Sequence, residues 1–256
     1  MNATPIDGSA WETIDFISDL HLQMAEPATA KAWFDYMAST EGTRADAIFI
    51  LGDWFEVWVG DDDADPFAAL CTAVIRQRAK GSKGAKPCEL FIMHGNRDFL
   101  MGVDLAERCG ATLLDDPTRL EFNGTSYLLT HGDALCTDDE SYMRFRELVR
   151  APEWQAEFLA KPLAERKNIA RQIRAQSQAQ QTQAASYADV NEALALEWLN
   201  THGCDVMIHG HTHKPASHKL GGGMRHVLSD WDANAEPKRL EVLRLTADGI
   251  SRLHLI

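Results

Sequence analysis

The feature that most constrains the fold is a set of short apolar runs that each end at a glycine or a polar residue able to bind metal. These runs are rich in β-forming residues and stop at Gly, Asp, Asn or His, which predicts buried strands that lead into functional loops. Amphipathic stretches such as Ala30–Ala38 and Pro66–Ala79 lie between several of them, so we predict an α/β layer architecture. The runs are Ile14–Ser18, Ala47–Leu51, Glu89–Met93, Ser126–Thr130 and Val206–Ile208.

The second half of the chain has two further features. Residues 139–198 contain helix formers throughout, with breaks only at Pro152 and Pro162, and this pattern predicts a helical lid. We therefore expect a single domain, 1–256, with this lid inserted within it. A hairpin is predicted at the end of the chain, where two alternating runs flank Asp248-Gly249: Leu240–Leu245 and Ser251–Ile256.

Composition restricts the partners and the location. The formal net charge of −13 disfavours binding of nucleic acid and of anionic lipid. A phosphate-bearing substrate therefore needs a site where the local charge is positive, and metal ions would supply that charge. The five cysteines are odd in number and form no C-x-x-C pair, which predicts buried thiols. No apolar run approaches the roughly 18 residues of a membrane-spanning helix. Met1–Ala10 lacks a secretory signal, so we expect a soluble cytoplasmic protein.

Five segments at the ends of the predicted strands contain the residue types that bind metals. A lone His or Asp at a strand end is more often a turn or hydrogen-bonded residue than a ligand. Five such segments favour one shared site, because adjacent strand ends bring distant residues together. Imidazoles and carboxylates without thiolate suit Mn²⁺, Fe or Zn²⁺. Asp53 is our candidate for a carboxylate shared by two ions. The segments are Ser18-Asp19-Leu20-His21, Gly52-Asp53, His94-Gly95-Asn96-Arg97-Asp98, Thr130-His131-Gly132-Asp133 and His209-Gly210-His211-Thr212-His213.

The order D-x-H, G-D, G-N-x-D, H-G-D and G-H-x-H resembles that of the calcineurin-like metallophosphoesterases. The resemblance implies a two-sheet β-sandwich flanked by helices in an αββα arrangement. It also implies two metal ions. The first would be bound by Asp19, His21, Asp53 and His213, and the second by Asp53, Asn96, His131 and His211.

Arg97 stands where many general phosphoesterases carry His. Arginine stays protonated and cannot act as an acid, but it neutralises developing charge through two parallel hydrogen bonds to phosphate oxygens. We therefore expect a leaving group that needs no proton, and a phosphate monoester, with a second pKa of about 6, qualifies. Arg97 thus favours cleavage of a pyrophosphate over a simple sugar phosphate.

Four longer strings resemble a narrower group, the diphosphatases that act on UDP-2,3-diacylglucosamine in lipid A synthesis: Gly52–Asp62, Met93–Leu100, Leu129–Asp139 and Ile208–Pro215. The resemblance implies attack of a metal-bound hydroxide on the α-phosphorus, giving UMP and 2,3-diacylglucosamine 1-phosphate. It further implies two Mn²⁺ ions, a peripheral position on the cytoplasmic face of the bacterial inner membrane, and no obligate protein partner.

The same resemblance implies roles for individual residues. The catalytic residues would be Asn96, Arg97 and His131. The substrate would be contacted by Asn96, Arg97, Asp139, Ser177, Gln181 and His211. Gln181 takes the place of a family amide, while the lysine that follows it in the family is absent from this chain.

Several alternatives stay open. The apolar lid residues Trp154, Phe158, Leu159 and Leu163 line an acyl groove or belong to the core. The basic residues Lys167, Arg171 and Arg174 meet substrate phosphates or the membrane, or form a solvated face. Two rival functions are a metal-dependent hydrolase of a soluble dinucleotide polyphosphate or cyclic nucleotide, and a non-enzymatic scaffold. The scaffold is disfavoured because all seven expected ligand positions hold competent side chains.

Overall fold

A computed structural model describes residues 4–81, 86–183 and 189–255, without the side chains of 176–183. The strands in these ranges are β1 (Ile6–Asp7), β2 (Thr13–Ile17), β3 (Ala47–Leu51), β4 (Glu89–Met93), β5 (Thr112–Leu114), β6 (Thr118–Phe122), β7 (Thr125–Thr130), β8 (Val206–His209), β9 (Ala216–Leu220), β10 (Gly223–Val227), β11 (Glu241–Thr246) and β12 (Gly249–His254). The helices are α1 (Pro27–Ala38), α2 (Thr40–Arg44), α3 (Pro66–Lys80), α4 (Val103–Cys109), α5 (Glu140–Arg150), α6 (Pro152–Leu159), α7 (Leu163–Gln183) and α8 (Glu192–His202).

The strands form two six-stranded mixed sheets. The first sheet has the order β12-β11-β2-β3-β4-β5, and the second has the order β1-β6-β7-β8-β10-β9. Strands β2, β3, β4 and β5 run parallel to one another in the first sheet, as β7 and β8 do in the second. The carboxyl ends of β2, β3 and β4 therefore lie together at one edge, and those of β7 and β8 lie together at another.

One hydrophobic core lies between the two sheets. Phe49 stacks on Phe16 and Phe91 with ring centroids 5.2 Å and 4.5 Å apart, and these rings share an apolar cluster with Leu129 and Ile208 of the second sheet. Alternate residues of each strand face the helices, because successive side chains point to opposite faces of a sheet. The outer face of the first sheet packs against α1, α3 and α4, and that of the second against α8. The predicted αββα sandwich is confirmed.

Most of the predicted elements are present. Strands β3 and β4 have the predicted bounds, and each of the other three predicted strands differs from its prediction by one or two residues. The C-terminal runs pair as an antiparallel hairpin. The predicted breaks fall at helix starts, because Pro152 is the first residue of α6 and Pro162 directly precedes α7. Strands that the sequence interpretation missed include β6. Its hairpin with β7 turns at Asn123-Gly124, both with positive φ, and this pair is a strong hairpin signal.

Helices α5 to α7 follow β7 in the chain, and α7 contacts the loop that follows β3. The buried Arg166 donates a hydrogen bond of 2.8 Å from Nη1 to Asp62 Oδ1, and Lys167 Nζ lies 2.8 Å from Asp63 Oδ1. Arg174 pairs with Glu56 of the same loop. Two of the three residues of the predicted basic stripe therefore contact protein carboxylates. The bounds of a lid, 139–198, stay a prediction.

The apolar residues of α6 and α7 are mostly core. Phe158 is buried, Trp154 stacks on it at 4.9 Å, and Leu163 packs against the same cluster, whereas Leu159 is 41% exposed. The core interpretation therefore holds for three of the four residues. No helix in the described ranges is long and apolar enough to cross a membrane.

Candidate metal centre

The loops after β2, β3, β4, β7 and β8 meet at one end of the sandwich. Backbone hydrogen bonds join them in pairs, from Asp19 N to the Gly52 carbonyl at 3.1 Å and from Gly210 N to the His131 carbonyl at 3.0 Å. Contacts also join the loops of the two sheets. For example, His131 Nδ1 donates to the Leu51 carbonyl at 2.9 Å. The segments that the sequence analysis singled out therefore converge.

All seven predicted ligand residues lie in one contiguous group. Asp53 Oδ2 is 3.9 Å from both His21 Nε2 and His131 Nε2. Asp19 Oδ1 is 3.4 Å from His213 Nε2. Asn96 Oδ1 completes the group, at 3.1 Å from His131 Nε2 and 2.9 Å from His211 Nδ1.

The backbone of these loops is unusual. Five of the seven residues have positive φ: Asp19, His21, Asp53, His211 and His213, with values between 47° and 65°. This region is uncommon for residues other than glycine, and such conformations concentrate at functional sites. The left-handed conformation lets the chain turn sharply soon after each strand ends. Short loops can therefore bring these polar side chains together in one group.

Two glycines allow the carboxylates to pack closely against the neighbouring loops. A Cβ on Gly95 would lie 2.1 Å from Asp53 Oδ1, and a Cβ on Gly210 would lie 2.3 Å from Asp19 Oδ2. Both distances are shorter than any side chain tolerates. Asp19 Oδ2 also accepts hydrogen bonds from Ser18 Oγ at 2.5 Å and from His211 N at 2.9 Å. The carboxylates are thus fixed from several sides.

The geometry of this group fits divalent cations. Asp19, His21 and His213 offer ligand atoms within 4.8 Å of one another, and so do Asp19, Asp53 and His131. Two ligands of one cation, each about 2.1 Å from it, can be up to about 4.2 Å apart, and the carboxylate–imidazole distances fall below that limit. Asp19 Oδ1 is buried and accepts no hydrogen bond from the described residues. His131 presents Nε2 to the centre, because its Nδ1 is engaged by the Leu51 carbonyl.

The charges of the group depend on each other. Burial opposes a charge on His131, but the carboxylates of Asp53, Asp19 and Asp133 outweigh it and raise the pKa of His131 to about 9. Burial and the positive charge of His131 lower the pKa of His211 to about 4. The pKa of Asp19 is lowered although burial opposes this, because three histidines surround it and His213 is the one with the largest effect. Cations bound here would take the place of the proton on His131.

Comparison with known proteins identifies the family. The profile of the calcineurin-like phosphoesterases matches residues 12–215. The UDP-2,3-diacylglucosamine hydrolase of Chromobacterium violaceum is 49% identical over 85% of this chain and 90% of its own length. The chain is a calcineurin-like phosphoesterase of the UDP-2,3-diacylglucosamine hydrolase family. Enzymes of the same description from Cellvibrio japonicus (46% identical, 84% of this chain and 90% of the relative) and Chromohalobacter salexigens (41%, 93% and 94%) are also similar.

A second layer of acidic residues supports the centre of this phosphoesterase, and the sequence interpretation assigned none of them a role. Asp98 accepts from the backbone of Trp54 at 2.7 Å and of Gly95 at 2.8 Å, joining the loops after β3 and β4. Burial and the nearby Asp53 raise the pKa of Asp98 to about 6. Asp230 lies 3.7 Å from His213 Nδ1 and accepts from Arg239 Nε at 2.9 Å. Carboxylates placed behind ligand histidines orient the rings.

The first of the helices that follow β7 is attached to this centre of the phosphoesterase. The buried Asp133 accepts from Tyr142 Oη at 2.6 Å and from Arg146 Nε at 2.8 Å, both on α5. The Tyr142 ring stacks on His211 with centroids 5.9 Å apart. Arg150, one turn further, donates to the Gly95 carbonyl at 2.9 Å. Residues at this spacing share a helix face, so the sequence held a signal for the contact.

The predicted substrate residues of the phosphoesterase have different surroundings. Arg97 donates from its backbone N to Asp53 Oδ1 at 2.8 Å, and its Nε is buried without an acceptor among the described residues. Asp139 is exposed and caps α5 by accepting from Tyr142 N at 2.9 Å. Ser177 and Gln181 fall on α7, but their side chains lie outside the described residues.

Proposed function

We propose that this chain hydrolyses the pyrophosphate bond of UDP-2,3-diacylglucosamine in lipid A biosynthesis, giving UMP and 2,3-diacylglucosamine 1-phosphate. The observation that carries the proposal is the convergence of seven potential ligands with Arg97 beside them. The names of relatives 41–49% identical to this chain give the substrate.

The proposed cofactor is a pair of Mn²⁺ ions. One would be held by Asp19, His21, Asp53 and His213, and the other by Asp53, Asn96, His131 and His211. Asp53 Oδ2 is equally distant from a histidine of each set, which supports its role as the shared ligand. When bound, the ions supply positive charge for the phosphate oxygens and lower the pKa of the attacking water.

Arg97 is proposed to bind phosphate oxygens of the pyrophosphate and to stabilise the transition state. Its backbone is fixed to Asp53, and the residue lines the same cavity as His21 and His213. A guanidinium in this place can donate two parallel hydrogen bonds to phosphate oxygens and offset charge that grows as the bond breaks. The departing 1-phosphate needs no proton, so no acid is required on that side. Asn96 and His131 act by holding one half of the centre in place.

The lipid half is proposed to lie on the side of α5 and α6. Leu148 and Leu159 on these helices are 56% and 41% exposed, which is more than their size favours in water. A lipid substrate also motivates a peripheral position on the cytoplasmic face of the inner membrane. Asp139, Ser177, Gln181 and His211 stay proposed substrate contacts.

The decisive assay is release of UMP from UDP-2,3-diacylglucosamine by the Mn²⁺-loaded protein, with chelated protein as the control. Hydrolysis in oxygen-18 water should place the label in UMP. Label confined to the lipid phosphate would contradict attack at the α-phosphorus. Turnover of UDP-glucosamine without acyl chains at an equal rate would instead favour a soluble nucleotide as the substrate.

A further inference from the structure

A polar cavity opens beside the His21 and His213 side of the metal centre. Its volume is about 360 Å³, within the range of small-molecule sites. The inner wall includes Arg97 together with those two histidines, and the ion pair of Glu56 with Arg174 of α7 also lines the cavity. The outer wall is formed by the residues before and at the start of α1 and by the loop after β10: Gln23, Glu26, Thr29, Asp230, Asp232, Asn234 and Arg239.

The outer rim of the cavity is fixed in place. Asn234 Nδ2 donates to Glu26 Oε2 at 2.9 Å, and Ala233 N donates to Thr29 Oγ1 at 3.1 Å. These two contacts join the loop after β10 to α1. Asp232 closes the loop by accepting from Asn234 N at 2.9 Å. A rim that is already ordered loses little conformational entropy when a ligand binds.

The lining indicates the chemistry of the ligand. Four carboxylates line the cavity, those of Glu26, Glu56, Asp230 and Asp232. The arginines Arg174 and Arg239 also line it, but they are already paired with Glu56 and with Asp230 and Asp232. The described lining is therefore polar and carries no unpaired positive charge at its outer wall, which disfavours a second free phosphate and an acyl chain. Amides such as those of Gln23 and Asn234 offer both donors and acceptors, which match the edge of a base. Carboxylates also accept hydrogen bonds from hydroxyl groups such as those of a ribose. The preferred occupant is uncharged and polar, and it is attached to a phosphate.

The position of the cavity agrees with that of a nucleoside. The opposite flank of the metal centre is covered by α5, whose Tyr142 stacks on His211 at 5.9 Å. If the phosphorus under attack lies at the centre, the nucleoside and the lipid phosphate extend from it in different directions. The nucleoside is attached directly to the α-phosphate, and the cavity reaches the centre directly through His21 and His213.

We infer that this cavity binds the nucleoside half of the substrate, with Gln23 and Asn234 contacting the base and Glu26 and Asp232 facing the ribose. The inference rests on the proposed function, because it takes the ligand to be a nucleoside 5′-phosphate whose phosphate lies at the metal centre. It divides the substrate between two flanks: nucleoside toward the loop after β10, and lipid toward α5 and α6.

The test compares two ligands of the Mn²⁺-loaded protein by calorimetry. UMP should bind the wild type more tightly than inorganic phosphate does, since only UMP reaches the outer cavity. Gln23→Ala and Asn234→Ala should each weaken UMP binding by roughly 3- to 10-fold, the effect of one lost hydrogen bond, and leave phosphate binding unchanged. Asn200→Ala, an exposed amide on α8, is the matched control and should change neither.

Three results would overturn the inference: equal affinity of the wild type for UMP and phosphate, unchanged UMP binding in both variants, or a parallel loss of UMP and phosphate binding. The last would report damage to the metal centre. Failure of this inference can be distinguished from failure of the proposed function. Protein that fails to hydrolyse UDP-2,3-diacylglucosamine but loses UMP affinity on Asn234→Ala would disprove the lipid reaction and leave the nucleoside site standing.

Discussion

Gly95→Ala is expected to disable the metal centre by steric contact alone. Gly95 does not have positive φ, so alanine meets no backbone penalty there, but its methyl group would lie 2.1 Å from Asp53 Oδ1 and 2.3 Å from Asp53 N. Gly95 itself cannot retreat easily, because its N donates to Asp98 at 2.8 Å and its carbonyl accepts from Arg150 at 2.9 Å. Asp53 must therefore move.

The required movement sets the magnitude. Real Cβ atoms essentially never lie closer than 3.0 Å to such a neighbour, so the Asp53 carboxylate would be displaced by about 0.9 Å. A misplacement of about 1 Å at a reacting centre costs on the order of 10²-fold in rate. Overpacking should also lower the free energy of unfolding by about 1–3 kcal/mol. We expect a fall of about 10²-fold in kcat together with loss of bound Mn²⁺.

The assay is metal content by mass spectrometry after gel filtration, with kcat measured on the same sample. Gly222→Ala is the matched control, since a Cβ there meets nothing within 4 Å and its φ is not positive. It should keep both metals and full activity. A Gly95→Ala protein with two bound ions and unchanged kcat would refute the claim that Asp53 is confined by the loop after β4.

Three further results are expected. Arg97→Ala should lower kcat by roughly 10²–10³ while both metals are retained, and a large fall in metal content would show that its role had been misassigned. Asp19→Ala and His131→Ala should each lose bound Mn²⁺, and unchanged content in both would contradict the proposed ligands. Burial and the charge of Arg252 lower the pKa of folded His226 to about 4. The unfolded chain therefore binds the extra proton first, and stability should fall as pH drops from about 6.5 toward 4, by at most about 1.4 kcal/mol per pH unit. Urea unfolding at pH 7 and pH 5 should show a smaller acid loss for His226→Gln, and an identical loss would exclude this source.

Local patterns were enough to predict the parts of the site that follow strands. A buried strand and the glycine or ligand after it are neighbours in the chain, so the sequence pattern could predict both β3 and the position of Asp53 at its end. The same holds for the His131 and His211 segments. Parallel pairing then brings these ends to common edges, as it does for β2, β3 and β4.

The supporting residues could not be predicted in the same way. Asp230 and Arg239 act on His213 through the fold of a loop that has no periodic pattern. Asp98 was visible within its motif, but its role depends on the Trp54 amide, 44 residues away. Contacts of this kind depend on the tertiary structure, and no spacing rule encodes them. Strand β6 is different, because the Asn123-Gly124 pair at its end is typical of a hairpin turn and could have predicted it.

The two docked sheets have a consequence for how the protein matures. Asp19, Asp53 and Asn96 follow strands of one sheet, whereas His131 and His211 follow strands of the other. Neither sheet alone provides all the proposed ligands of a metal ion. Metal ions would thus bind only after the two sheets have docked in the correct orientation, and protein without bound metal should be easier to unfold.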